Sequence, residues 1–182
     1  AEAPGSPVVG AVYLSSITLG FTPVDCDGYS AEVALTPAFA GAVSSVTANP
    51  AAVQLSPQSL AANTTYYARV WAKYGAAYNY VDAVPAASAT LAAMPLPPAV
   101  SSVQISALAL TWGANGNPGD TFYDADLSTD GFATTNVTSR TLNVSTTFSA
   151  LVANTTYYMR VRGVNHGGTP TQYVAAAATA TA

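Results

Sequence analysis

The chain has 182 residues, of which only 8% are charged, against roughly 25% in ordinary globular domains. Five basic and nine acidic side chains leave a net charge of −4, which argues against nucleic acid or an anionic membrane as partner. No apolar run approaches the roughly 20 residues of a spanning helix, and one cysteine, Cys26, excludes an internal disulfide framework. The opening residues show no basic-plus-apolar leader, which fits a mature secreted chain, a cytoplasmic one or an excised fragment.

In chain order, residues 1–7 read as an extended lead-in, and 8–14 and 16–21 as the first two strands. The third strand starts at Tyr29, with Tyr29, Ala31 and Val33 facing inward and Glu32 outward. Its counterpart starts at Tyr123, with Ala125 and Leu127 inward and Asp124 and Asp126 outward. Turn-rich loops at 25–28 and 115–120 precede the two. Phe39 and Phe132 are expected to open the next edge strand, and 53–55 and 142–144 to feed the fifth. The last strands are expected at 80–91 and 173–182, with Pro85 marking an edge or a bulge. Nothing has a helical period.

One stretch is stated twice. Leu60-Ala-Ala-Asn63-Thr-Thr-Tyr66-Tyr67-Ala-Arg69-Val70 returns 91 residues later as Leu151-Val-Ala-Asn154-Thr-Thr-Tyr157-Tyr158-Met-Arg160-Val161. A period of that length matches a whole small domain and is too long for a solenoid repeat. After each Asn-Thr turn the alternation has period two. Tyr66, Ala68 and Val70 fall on one face, as do Tyr157, Met159, Val161 and Gly163. Tyr67, Arg69, Trp71 and Lys73 fall on the other, as do Tyr158, Arg160, Arg162 and Val164. At these residues the chain resembles the fibronectin type III family, whose sixth strand follows a Leu-x-x-x-Thr-x-Tyr corner.

The resemblance implies an all-β chain of two tandem fibronectin type III-like (immunoglobulin-like) Greek-key β-sandwiches, residues 1–93 and 94–182. It implies that Tyr66 and Tyr157 are core tyrosines whose hydroxyls bond back to the backbone across the corner. The family's core Trp on the second strand matches Trp112, while Phe21 takes that place in the first copy. The connector 94–98, with three prolines, is expected to be stiff and to set the copies in a rod.

Candidate sites are few. The loop between the sixth and seventh strands (F–G) carries Tyr74, Tyr78 and Tyr80 in the first copy, and tyrosine offers rigid contact area at low entropy cost. The bland alternative is that Tyr78 or Tyr80 begins the last strand and packs. His166, the only histidine, lies in the second F–G loop and reads as a turn residue without metal-ligand spacing around it. No nucleophile motif supports a hydrolytic triad, and no catalytic residue, cofactor or metal is expected. Asp120, Asp124, Asp126 and Asp130 do not converge as a calcium loop does. Glu32, Asp124 and Asp126 are expected instead to pair with Arg69, Arg160 and Arg162 across an exposed sheet, with Trp71 stacked between Arg69 and Lys73. Of four Asn-x-Ser/Thr sequons, those at Asn63 and Asn154 are explained by the corner turns, leaving Asn136 and Asn143 as glycosylation candidates.

The function expected is that of a non-enzymatic extracellular or cell-surface structural or adhesive protein, secreted and self-associating into a filament or array. The sparse charge and the nearly uncharged segment 173–182 carry that expectation. The alternatives are a monomeric protein- or glycan-binding module using the Tyr-rich F–G loop, or spacer modules of a larger secreted enzyme. Fold alone does not choose among them.

Overall fold

The computed structural model describes all 182 residues and contains strands and turns but no helix. It divides into two compact units, Ala1–Leu91 and Ala92–Ala182. Ala92 and Ala93 belong with the second because Asn117 holds both backbone groups of Ala93, donating to its carbonyl and accepting from its N–H, each at 2.7 Å.

The first unit contains β1 (Gly5–Val12), β2 (Ile17–Thr22), β3 (Tyr29–Ala34), β4 (Val43–Thr47), β5 (Gln54–Leu55), β6 (Thr65–Tyr74) and β7 (Ala77–Ala89). One layer has the order β4-β3-β6-β7 and the other β1-β2-β5, joined at one edge by a parallel bridge between Val8 and Val84. Strand alternation fills the space between the layers. Ile17, Leu19 and Phe21 come from β2, Tyr29, Ala31 and Val33 from β3, and Tyr66, Ala68, Val70 and Ala72 from β6. So many of these are alanine that the aromatics must supply the volume, and Phe21 packs on Tyr29 with ring centroids 4.7 Å apart. A register shift opposite Tyr67–Arg69 places Pro85 in a bulge of β7.

The second unit repeats the plan with β8 (Leu96–Val103), β9 (Leu108–Gly113), β10 (Phe122–Ser128), β11 (Val137–Thr141), β12 (Ser145–Phe148), β13 (Thr156–Val164), β14 (Val174–Ala175) and β15 (Thr179–Ala180). Its layers are β12-β9-β8 and β11-β10-β13-β14, with β15 also on β13. Trp112 and Tyr123 take the places of Phe21 and Tyr29, 5.6 Å apart. Each unit is thus a Greek-key β-sandwich of a three-stranded and a four-stranded layer.

Three local expectations are corrected. Phe39 and Phe132 do not open edge strands: both sit in turns at positive φ (54° and 71°), and the edge strands begin at Val43 and Val137. The aromatic ring of each is drawn back onto an arginine, which holds the turn. The second copy's last strand is not continuous over 173–182. It survives as two two-residue pieces on β13, because the register against β13 slips by one residue between Val174–Ala175 and Thr179–Ala180. Val164, expected outward, is buried near the end of β13, where the sheet face no longer alternates cleanly with solvent.

Candidate functional site

The corner tyrosines are set by local structure, a tight turn and the strand that leaves it. Asn63 and Asn154 hold the left-handed conformation at φ 42° and 50°, which asparagine tolerates better than most residues. The chain then enters β6 or β13 with Tyr66 and Tyr157 inward. The Tyr66 hydroxyl accepts from Ala61 N–H and that of Tyr157 from Val152 N–H, both at 3.0 Å. Thr90 and Thr181 close the same corners by donating to Ala61 C=O and Val152 C=O.

On the opposite face of each four-stranded layer, the period-two pattern sets acids of the third strand beside arginines of the sixth. Glu32 lies in register with Arg69, Asp126 with Arg160 and Asp124 with Arg162. The ion-pair distances are 2.8 Å, 3.0 Å and 3.1 Å. Expectation and structure differ in environment: the Asp124 and Asp126 carboxylates are only 3% exposed, so this is not an exposed ladder. Aromatic rings cover it. Arg69 lies between Phe39 and Tyr80, 3.9 Å and 4.9 Å from their centroids, and Arg160 between Phe132 and Tyr173, 4.0 Å and 3.9 Å. Each unit therefore has the same acid–arginine pair, its guanidinium clamped between a turn Phe and a Tyr, Tyr80 on β7 in the first and Tyr173 just before β14 in the second.

Sequence reasoning missed Arg140. It stands opposite Asp124 on β11 and grips it with two bonds, Nε to Oδ1 at 2.7 Å and Nη2 to Oδ2 at 3.0 Å. Burial pushes the Asp124 carboxyl upward, but the bonds and charges of Arg140 and Arg162 outweigh it and hold it below the usual range. The signal was present as a third-strand acid with an edge-strand base, but the edge register had not been placed. Lys73, expected in the ladder, joins no salt bridge. Asp130 caps its own turn through Ser128 and Thr134, and these bonds pull its pKa down to about 2.

The expected binding residues go separate ways. The Tyr74 hydroxyl ties down the lead-in, donating to Glu2 C=O at 2.6 Å and accepting from Glu2 N–H at 2.9 Å. Tyr80 packs on Trp71 and Arg69. Tyr78 alone of the three lines a hollow of about 340 Å³ on the first unit's four-stranded layer, with Ser30, Glu32, Val46, Thr47, Trp71 and Lys73. His166 belongs to the second unit and faces Asp120 at 3.3 Å. Asn143 is exposed, and its side chain takes no part in the turn bond from its N–H to Thr141. Asn136 is exposed too, but its Oδ1 accepts from Thr129 N–H and Oγ1. Cys26 is a free thiol donating to Gly28 C=O.

No family model matches the chain, and no curated protein matches it. Among solved structures it is similar to a two-domain fibronectin type III segment of chicken tenascin, at 15% identity and a TM-score of 0.64, over 99% of this chain and 100% of that one. It also matches the FN1–FN3 domains of chicken CNTN1 at 16% identity and a TM-score of 0.41, over 99% of this chain and 67% of that one. The first likeness shows the fold: two tandem fibronectin type III-type sandwiches.

Proposed function

We propose that the chain is a non-enzymatic structural or adhesive module of an extracellular or cell-surface assembly, and that it associates with copies of itself. One observation carries this reading. Four of the five basic side chains, Arg69, Arg140, Arg160 and Arg162, are spent on ion pairs within their own unit. The charged side chains left unpaired on the surface are therefore fewer than the already low composition indicates. Large apolar side chains meanwhile stand in solvent. In the second unit, Ile105 at the β8–β9 hairpin and Val152 in the corner loop are 67% and 66% exposed, and the two segments are joined by the bond from Leu151 N–H to Ser106 C=O. The broken edge at 173–182 offers too few free backbone groups in line for strand addition, so side-chain faces are the contact assigned.

Light scattering and sedimentation over a concentration series, with electron microscopy of the native material, test this. Reversible growth in mass, reduced by Ile105→Lys with Val152→Glu, is the expected result. A chain that stays monomeric to its solubility limit, with no ordered polymer in its source, refutes it.

A further inference from the structure

We infer that the hollow on the first unit's four-stranded layer is a saccharide site that seats one pyranose ring. The hollow exists because of what stands in its floor. Ser30 stands there with its small side chain, and just before β3 the buried Gly28 runs close against β4, where a Cβ would strike the Thr47 carbonyl. Ser30 lies in register with Val46 on one side and Trp71 on the other.

The second unit shows what this fold does with the same place. There the corresponding row is Arg140, Asp124 and Arg162, and the two arginines close over the carboxylate. Where one copy fills the row with charge, the other keeps it open and lines it with an indole. The opening is a difference of sequence within one architecture.

Its chemistry matches a sugar. A pyranose has an apolar C–H face and a rim of hydroxyls that each donate and accept. Trp71 and Tyr78 meet nearly at right angles, 89° with centroids 5.9 Å apart, forming an aromatic corner for the apolar face. The indole is held in advance: its Nε1 donates to Glu32 Oε2 at 2.8 Å, and Tyr80 and Arg69 pack against it. Both hydrogen bonds that Glu32 receives, from Trp71 and Arg69, and its ion-pair contact with Arg69 Nη2 land on Oε2, which leaves Oε1 to accept from a ligand hydroxyl. Ser30 and Thr47 add hydroxyls, and Lys73, whose ammonium has no carboxylate partner, adds a donor. A proline-rich peptide would use the aromatic corner but not the polar rim, so the rim favours the sugar. This site is independent of self-association and is tested on dilute protein.

The test is a heteronuclear NMR titration of the whole chain with methyl β-glucopyranoside, lactose, cellobiose, N,N′-diacetylchitobiose and glucuronate, and with a polyproline peptide. At least one saccharide should shift the amides of Gly28, Ser30, Thr47 and Lys73 and the Trp71 indole N–H, saturably and in the millimolar range. Ser30→Tyr, which fills the hollow, should abolish the shifts, and Tyr78→Ala, at an exposed position, should weaken binding about tenfold. If glucuronate is the preferred ligand, Lys73→Gln should weaken it more than any neutral sugar. The inference is overturned if no saccharide moves these resonances, if only the peptide does, or if folded Ser30→Tyr and Tyr78→Ala both bind as well as the parent.

Discussion

Asp124 and Arg140 face each other across β10 and β11 with unequal exposure: the carboxylate side chain is 3% exposed and the guanidinium side chain 57%. The arginine therefore acts as a lid, giving up little hydration while sealing a carboxylate that has lost nearly all of its own. A second arginine, Arg162, bonds the same carboxylate from the sixth strand at 3.1 Å. Removing the acid leaves two guanidinium groups facing each other with no counter-charge. Asp124→Asn is expected to cost about 2–3 kcal/mol, toward the low end of a broken buried pair because both partners reach solvent. Arg140→Ala should lower the melting temperature, and Lys73→Ala should not. Urea denaturation of the three variants checks this, and equal stability for all would show that the pair holds nothing.

The same carboxylate predicts an acid limb. The folded pKa of Asp124 lies below its ordinary value, so its stabilisation is fully present above the unfolded pKa of about 4 and is lost as pH falls through the folded value. Asp130, at about 2, behaves likewise for the turn it caps. Stability of the second unit should fall as pH drops from about 4 toward 2, and Asp130→Ala should flatten part of that fall. Tryptophan fluorescence in a Trp71→Phe background, where Trp112 of the second unit's core is the only indole, reports it. A flat profile there would refute the assignment.

The corner tyrosines separate two adjacent positions. Tyr66→Phe or Tyr157→Phe strips the acceptor from a backbone N–H and should cost about 1–3 kcal/mol. Tyr67→Phe and Tyr158→Phe, on the outward face, should cost little. Thermal melts of the four variants decide between them, and four equal losses would mean that the hydroxyl bonds carry no weight.

Gly28 is a backbone requirement. At φ +143° and with a Cβ directed into the Thr47 carbonyl, Gly28→Ala should destabilise the first unit by about 1–3 kcal/mol. Gly75→Ala, also at positive φ but in open space, should cost less. An unaffected melt for Gly28→Ala would show that β4 can yield.

Much of this molecule is written in short-range pattern. The repeat of Leu60–Val70 at Leu151–Val161, with its period-two alternation, determines two β units, the inward Tyr66 and Tyr157, and the outward rows of arginine. Strand periodicity is a local property, so a linear reading finds it. The same reading set Glu32 against Arg69, and Asp124 and Asp126 as a pair against Arg160 and Arg162; which faces which came from the register. What it did not reach was register across edges and the closing of turns. Arg140 finds Asp124 only once β11 is laid against β10. Phe39 and Phe132 look like strand residues until their turns bend at positive φ and swing the rings onto Arg69 and Arg160. The segment 173–182 has strand composition throughout, yet its pairing with β13 slips by one residue midway and leaves two short pieces. The hollow above Ser30 is the clearest case, because open space is a property of no residue. It arises where Ser30, Trp71 and Val46 are brought into one row by pairing of β3 with β6 and β4, and only the assembled sheet decides that.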